Sequence, residues 1–160
     1  MELLQDKIDG HRKGQPNTPN WVHSMRVYDI LRSYRYDEST CLAGGLHDLI
    51  EDGGMTRETL ADLGVSPEVV HAVALVSHSK KIDDSRARWF ALMQQLSVMG
   101  NKMTWLVKVA DIIDNIRDSD TLGDDNAWFM VNVKRPVILM LSKDILKGEK
   151  IWSDLFDMNA

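Results

Sequence analysis

The sequence predicts an all-α protein, a compact single-domain helical bundle over residues 1–160. Three observations predict it. Apolar residues recur at spacings of three and four along most of the chain, the period of a helix with one buried face. Start signals at Thr18-Pro19 and Ser66-Pro67 and stop signals at Gly53-Gly54 and Gly100-Asn101 cut the chain into segments of helical length. No useful run of alternating polar and apolar residues, no repeat and no low-complexity linker breaks the pattern.

Residues 2 to about 13 set Leu3, Leu4 and Ile8 among polar neighbours and read as a short helix, stopped by Gly14 and Pro16. Thr18 then caps a helix with Pro19 at its first position, running to about Arg35, its apolar stripe being Trp21, Met25, Tyr28 and Leu31. His23 lies off that stripe. A third helix, about 38 to 52, passes through Cys41, Leu42, Ala43, Gly44 and Gly45, which suit burial, and ends at Gly53-Gly54. Thr56 to Leu63 is a short helix closed by Gly64. Ser66-Pro67 opens the next, largely buried through Val69, Val70, Val73, Leu75 and Val76, before a polar loop from Ser77 to Lys81. Asp83 to about Met99 is helical, with Trp89, Phe90, Leu92, Met93 and Leu96 apolar. From Lys102 to about Asp118 comes a long apolar helix that Asp111, Asp114 and Asn115 interrupt. A turn at Gly123–Asn126 precedes a helix from Ala127 to about Lys147, bent at Pro136, and Ile151 to Phe156 is an amphipathic tail.

Hydrophobic residues make up 44% and charged residues 27%, a globular composition. The net charge of -5 disfavours nonspecific binding to duplex nucleic acid or to an anionic membrane, since the long-range field repels both. Cys41 is the one cysteine, which rules out an intrachain disulfide and fits a reducing compartment. The apolar runs fall short of the roughly 18 residues of a membrane span, and the N-terminus lacks the basic head and apolar core of a signal peptide. The expectation is a cytoplasmic protein, with the oligomeric state unread.

The chain is organised around Leu46-His47-Asp48-Leu49-Ile50-Glu51-Asp52, one imidazole and three carboxylates placed next to small and apolar residues. Buried charge is costly unless paired, protonated or bound to a metal. His23, His47, Asp48 and Asp111, from three helices, are candidates to converge on one cation, as facing helices of a bundle allow. Two imidazoles and two carboxylates suit manganese or iron(II), with zinc a competitor. Such an ion makes water more acidic and offsets phosphoryl charge, so phosphate-ester hydrolysis is the leading chemistry. Asp111 has an alternative as an ion-pair partner of Lys108. Glu51 and Asp52, one turn beyond, suit orienting or deprotonating the attacking water and protonating the leaving oxygen; the alternative is an exposed acidic pair. Asn115, one turn after Asp111, either contacts substrate or holds Asp111.

These residues resemble the HD-domain phosphohydrolases, and more narrowly the hydrolase domain of the RelA/SpoT family with its free-standing small alarmone hydrolases. The resemblance lies in Arg12-Lys13, in Pro19-Asn20-Trp21-Val22-His23, in Leu46 to Asp52 and in Lys108-Val109-Ala110-Asp111-Ile112-Ile113-Asp114-Asn115, in order and at similar spacing from about residue 9 to 119. It implies an HD-type bundle and a manganese-dependent pyrophosphohydrolase that takes the 3′-pyrophosphate from guanosine tetra- or pentaphosphate, leaving GDP or GTP. By the same likeness His23, His47, Asp48 and Asp111 bind the ion, Glu51 and Asp52 serve the water, and Arg12, Lys13 and Asn115 contact the nucleotide. Lys80 and Lys81 follow Ser77-His78-Ser79, where the family has a threonine-acidic-lysine stretch. Ser24, Asn20-Trp21 and Asp114 also depart from the family pattern; they leave the metal ligands in place and bear on substrate choice. The length leaves no room for a synthetase or regulatory domain. Two other readings stay open: the same site acting on another nucleotide or phosphorylated cofactor, and a non-catalytic nucleotide-sensing module.

Overall fold

The computed structural model describes residues 2–12, 14–79 and 81–158, and among them it is helical, apart from an isolated bridge between His11 and Pro19. In chain order the helices are α1 (Glu2–Lys7), α2 (Trp21–Ser33), α3 (Glu38–Leu46), α4 (Arg57–Asp62), α5 (Pro67–Val76), α6 (Ser85–Met99), α7 (Lys102–Arg117), α8 (Asp124–Phe129), α9 (Arg135–Leu146) and α10 (Lys150–Asp157). A 3-10 turn, Ser119–Thr121, precedes α8, and a π turn, Met130–Lys134, joins α8 to α9.

Helix α7 is the axis. Every residue from Met103 to Asp114 is buried, so it is wrapped on all sides, by α2, α3, α5, α9 and α10. Its start is fixed by a capping box in which Asn101 Oδ1 accepts from the Thr104 amide at 3.0 Å and Thr104 Oγ1 accepts from the Asn101 amide at 2.9 Å. Each large side chain it buries, such as Trp105 and Leu106, contributes roughly 1.5–3 kcal/mol of transfer free energy. That burial offsets the cost of placing Lys108, Asp111 and Asp114 in the same helix.

Several boundaries differ from the sequence reading. Helix α1 ends at Lys7, because the chain turns through Gly10 at φ +83° and the His11–Pro19 bridge. Helix α2 begins at Trp21 with Asn20 before it, so Thr18-Pro19 marks a preliminary turn rather than the cap. Its buried face is His23, Ser24, Val27, Ile30 and Leu31; Trp21, Met25 and Tyr28 are only partly covered. The third helix stops at Leu46 instead of 52: the Gly44 carbonyl, which the Asp48 amide takes in a continuing helix, accepts from His47 Nδ1 at 2.6 Å. Residues 47–52 follow as turns closed by the Asp52 amide on the Asp48 carbonyl at 2.7 Å. Phe90 of α6 is exposed. Where a bend was expected at Pro136, the helix is interrupted just before it by the π turn, Pro136 standing in the first turn of α9, and α8 begins at Asp124 rather than Ala127. Helix α5 and the Ser66 cap stand as read.

One close approach sets the geometry of the site. A Cβ at Gly44 of α3 would lie 2.4 Å from Leu31 Cδ1 and 3.2 Å from Val27 Cγ1 of α2, so the two helices pack closer than any side chain at 44 allows without moving Leu31.

Candidate functional site

Helix α2, the turn that leaves α3 and helix α7 bring His23, His47 and Asp111 together in a cavity of about 190 Å3. One ligand atom from each lies within 4.8 Å of the others, an arrangement able to hold a metal ion. Asp48 flanks them, its Oδ1 3.1 Å from His47 Nε2 and its Oδ2 3.9 Å from His23 Nε2. The structure therefore brings together all four side chains singled out for a cation. The donor chemistry fits one. His47 Nδ1 is held by the Gly44 carbonyl at 2.6 Å and His23 Nδ1 by Asp114 Oδ2 at 2.7 Å, which leaves each Nε2 directed to the shared space. Acceptors behind ligating imidazoles fix the tautomer and ring orientation in this way.

The electrostatics follow from crowding. Burial alone lowers the His23 pKa; hydrogen bonds to Asp111 and Asp114, with the charges of Asp111 and Asp48, outweigh it and push it up to about 9. Burial likewise opposes ionisation of Asp111, yet Lys108 and the two imidazoles hold its carboxyl well below the usual range. The Lys108 ammonium lies 2.5 Å from Asp111 Oδ2, the ion pair that the sequence left as an alternative for Asp111. The same carboxylate also faces His23 Nε2 at 3.2 Å, so the pair and the cluster coexist.

Asn115 donates from Nδ2 to Asp111 Oδ1 at 2.5 Å and accepts from Arg12 at 3.0 Å. Arg12 is held in turn by Asp118 at 3.1 Å, and both Arg12 and Asn115 line the cavity. Asp114 sits behind His23 and pairs with Arg26 Nε at 2.8 Å, so this buried carboxylate has a cationic partner on the side away from the cavity. Lys13 and Lys80 lie outside the described residues.

Glu51 and Asp52 both line the cavity. Burial raises the Glu51 pKa, but His78 overrides it and lowers it to about 2, through its ring Nδ1 at 2.6 Å and its amide at 3.1 Å, both on Oε2. His78, in the loop after α5, lines the same cavity, and so does Lys134 of the π turn. Neither was singled out as a site residue in the sequence. The departure at Ser77-His78-Ser79 was a signal for the first; a lysine at helical spacing between Met130 and Ile138 was the only one for the second. Burial lowers the pKa of Lys134. The exposed-pair alternative does not describe Glu51, which is half-buried against His78; Asp52 lines the cavity and is exposed.

The sequence pattern of the HD domain matches residues 1–128. The chain belongs to that family. Within it, the chain is 32% identical over 120 residues to a GTP pyrophosphokinase of Myxococcus xanthus, a match covering 67% of this chain and 15% of that protein. It is 30% identical over 124 residues to the guanosine-3′,5′-bis(diphosphate) 3′-pyrophosphohydrolase MESH1 of Drosophila melanogaster, covering 74% of this chain and 68% of that one. The chain thus spans about one sixth of the GTP pyrophosphokinases it matches and two thirds of MESH1. The HD fold is shared with a solved metazoan ortholog of SpoT, described as hydrolysing ppGpp, at a TM-score of 0.80 and 23% identity over 98% of this chain and 93% of that one. Among the described residues no helix is long and apolar enough to cross a membrane.

Proposed function

We propose that this HD-domain chain is a metal-dependent hydrolase of guanosine 3′,5′-bis(diphosphate)-type nucleotides, releasing pyrophosphate and leaving GDP or GTP. The observation that carries it is the meeting of His23, His47 and Asp111, with Asp48 alongside, at a cavity that Glu51 and Asp52 also line. The activity named for the Drosophila relative supports the substrate.

In this reading His23, His47, Asp48 and Asp111 hold a divalent cation, Mn2+ first, with Fe2+ and Zn2+ as alternatives. Bound there, the ion supplies Lewis acidity, which makes a neighbouring water more acidic and offsets charge on a phosphoryl oxygen. Glu51, kept ionised by His78, orients the attacking water. Asp52 accepts its proton and returns one to the leaving oxygen. Arg12 and Asn115 engage the nucleotide at the cavity wall; Lys13 stands beside Arg12 in the sequence and shares that role. Asn115 at the same time holds Asp111, so the two uses weighed for it are compatible.

The test is a manganese-supplemented assay of guanosine tetraphosphate with the Asp52→Asn protein as control. Pyrophosphate release is expected from the natural sequence, and a kcat lower by roughly 100- to 10,000-fold from the variant, with its metal content unchanged. Intact guanosine tetraphosphate beside a cleaved rival nucleotide would overturn the substrate; equal turnover by both proteins would overturn the mechanism.

A further inference from the structure

Three basic side chains among the described residues line the cavity, and two are already engaged: Arg12 by Asp118 and Asn115, Lys108 by Asp111. Lys134 makes no ion pair within 4.0 Å among the described residues. Its stem runs past apolar side chains, with Asp111, Glu51 and Lys108 the charges within electrostatic reach. Met130 and Ile138, one turn before and one turn after it, are buried, and its ammonium stands 5.9 Å from the ring centroids of both Trp89 and Phe129. At that distance the rings guide the side chain but satisfy few of its three donors. The π turn ends at this residue. Such a turn changes the phase of a helix relative to the one that follows, and π turns recur at functional sites.

A lysine so placed is costly to keep unless an anion meets it. The charges of Asp111 and Glu51 reach it, opposed by Lys108, but neither carboxylate comes within 4.0 Å of its ammonium, and a phosphoryl oxygen is the anion that a nucleotide would bring. We propose that Lys134 forms a phosphate-binding subsite at the α9 wall of the cavity, cradled by Trp89 and Phe129. It fixes a phosphoryl group of the substrate and thereby favours polyphosphorylated ligands. The proposal deepens the hydrolase reading and rests on it for the choice of ligand.

Calorimetric titration of the manganese-loaded full chain with inorganic pyrophosphate tests the subsite without turnover or guanine. Lys134→Met keeps most of the stem against the rings; Lys134→Arg keeps the charge; Lys143→Met changes an exposed lysine on α9 as control. The expected result is a Kd raised about tenfold or more by Lys134→Met, with Lys134→Arg within about threefold of the natural sequence, as loss of a charge-assisted hydrogen bond dictates. Manganese affinity, titrated separately, stays unchanged. Lys134→Gln serves in the same comparison should the methionine variant fail to fold. Equal pyrophosphate binding by the uncharged variant, or no binding by the natural sequence, overturns the subsite. A loss that merely follows weaker manganese binding also overturns it, since the lysine is then a counter-charge for the carboxylates. Failure of the guanosine tetraphosphate assay beside a lysine-dependent pyrophosphate titration removes the alarmone substrate and leaves the subsite standing.

Discussion

The two ends of the cavity are built on opposite terms. At the α2, α3 and α7 end the ligand-bearing groups are tied internally: His47 on the Gly44 carbonyl, His23 on Asp114, Asp114 on Arg26, Asp111 on Lys108 and Asn115. At the other wall a loop residue, His78, is tied to Glu51 alone, and the last residue of a π turn, Lys134, has no ion pair within 4.0 Å among the described residues. The first end is rigid before any ligand arrives, which is what a cation site needs. The second keeps charge in reserve, which is what an anionic substrate needs.

The comparison can be broken first at the rigid end. Asp111→Asn is expected to lower turnover on the order of 1,000-fold or more, since several kcal/mol of charge stabilisation are lost at tenfold per 1.4 kcal/mol. Metal analysis should find the manganese gone, and an unchanged stoichiometry would show that the cluster is not where the ion sits. A smaller effect is expected one layer back. Asp114→Asn leaves every proposed ligand in place but alters what holds His23 Nδ1, so manganese affinity should fall about 10- to 100-fold. Titration of the ion into the purified variant reads this directly, and an affinity equal to that of the natural sequence would make Asp114 a partner of Arg26 and Arg12 rather than a support for the ligand.

The smallest effect sharpens the other end. Glu51 has a pKa lowered to about 2 by His78, so the stability it contributes is full above the unfolded carboxylate value near 4.3 and is lost as pH falls toward 2. In His78→Gln the folded and unfolded values draw together. Unfolding free energies from urea titrations at pH 6 and pH 3 should then differ less than in the natural sequence, by about 1 kcal/mol. Equal pH dependence in the two proteins would mean that the pair does not form in solution.

The rigid end was also the legible one. Asp111 is a charge inside an apolar stretch, His23, His47 and Asp48 are legible only in conjunction with it, and caps such as Ser66 and Asn101 are local chemistry that a sequence displays. The other end rests on contacts that no local pattern carries. Glu51 meets His78 across 27 positions, and a π turn has no residue signature of its own. The overlong third helix has a similar origin. The spacing of residues 47–52 is compatible with a helix, and only the imidazole seated on the Gly44 carbonyl diverts the backbone. Asp114 looked like a departure from the family pattern, and the structure supplies its counterpart in Arg26, a residue that no local pattern connects with it.

Gly44 does two things at once: its bare α-carbon lets two helices touch, and its carbonyl steadies an imidazole. Packing and chemistry therefore share one adjustable part. A change that loosens the helix pair at this point also turns a ring, so selection for tight assembly and selection for activity act there on the same atom positions.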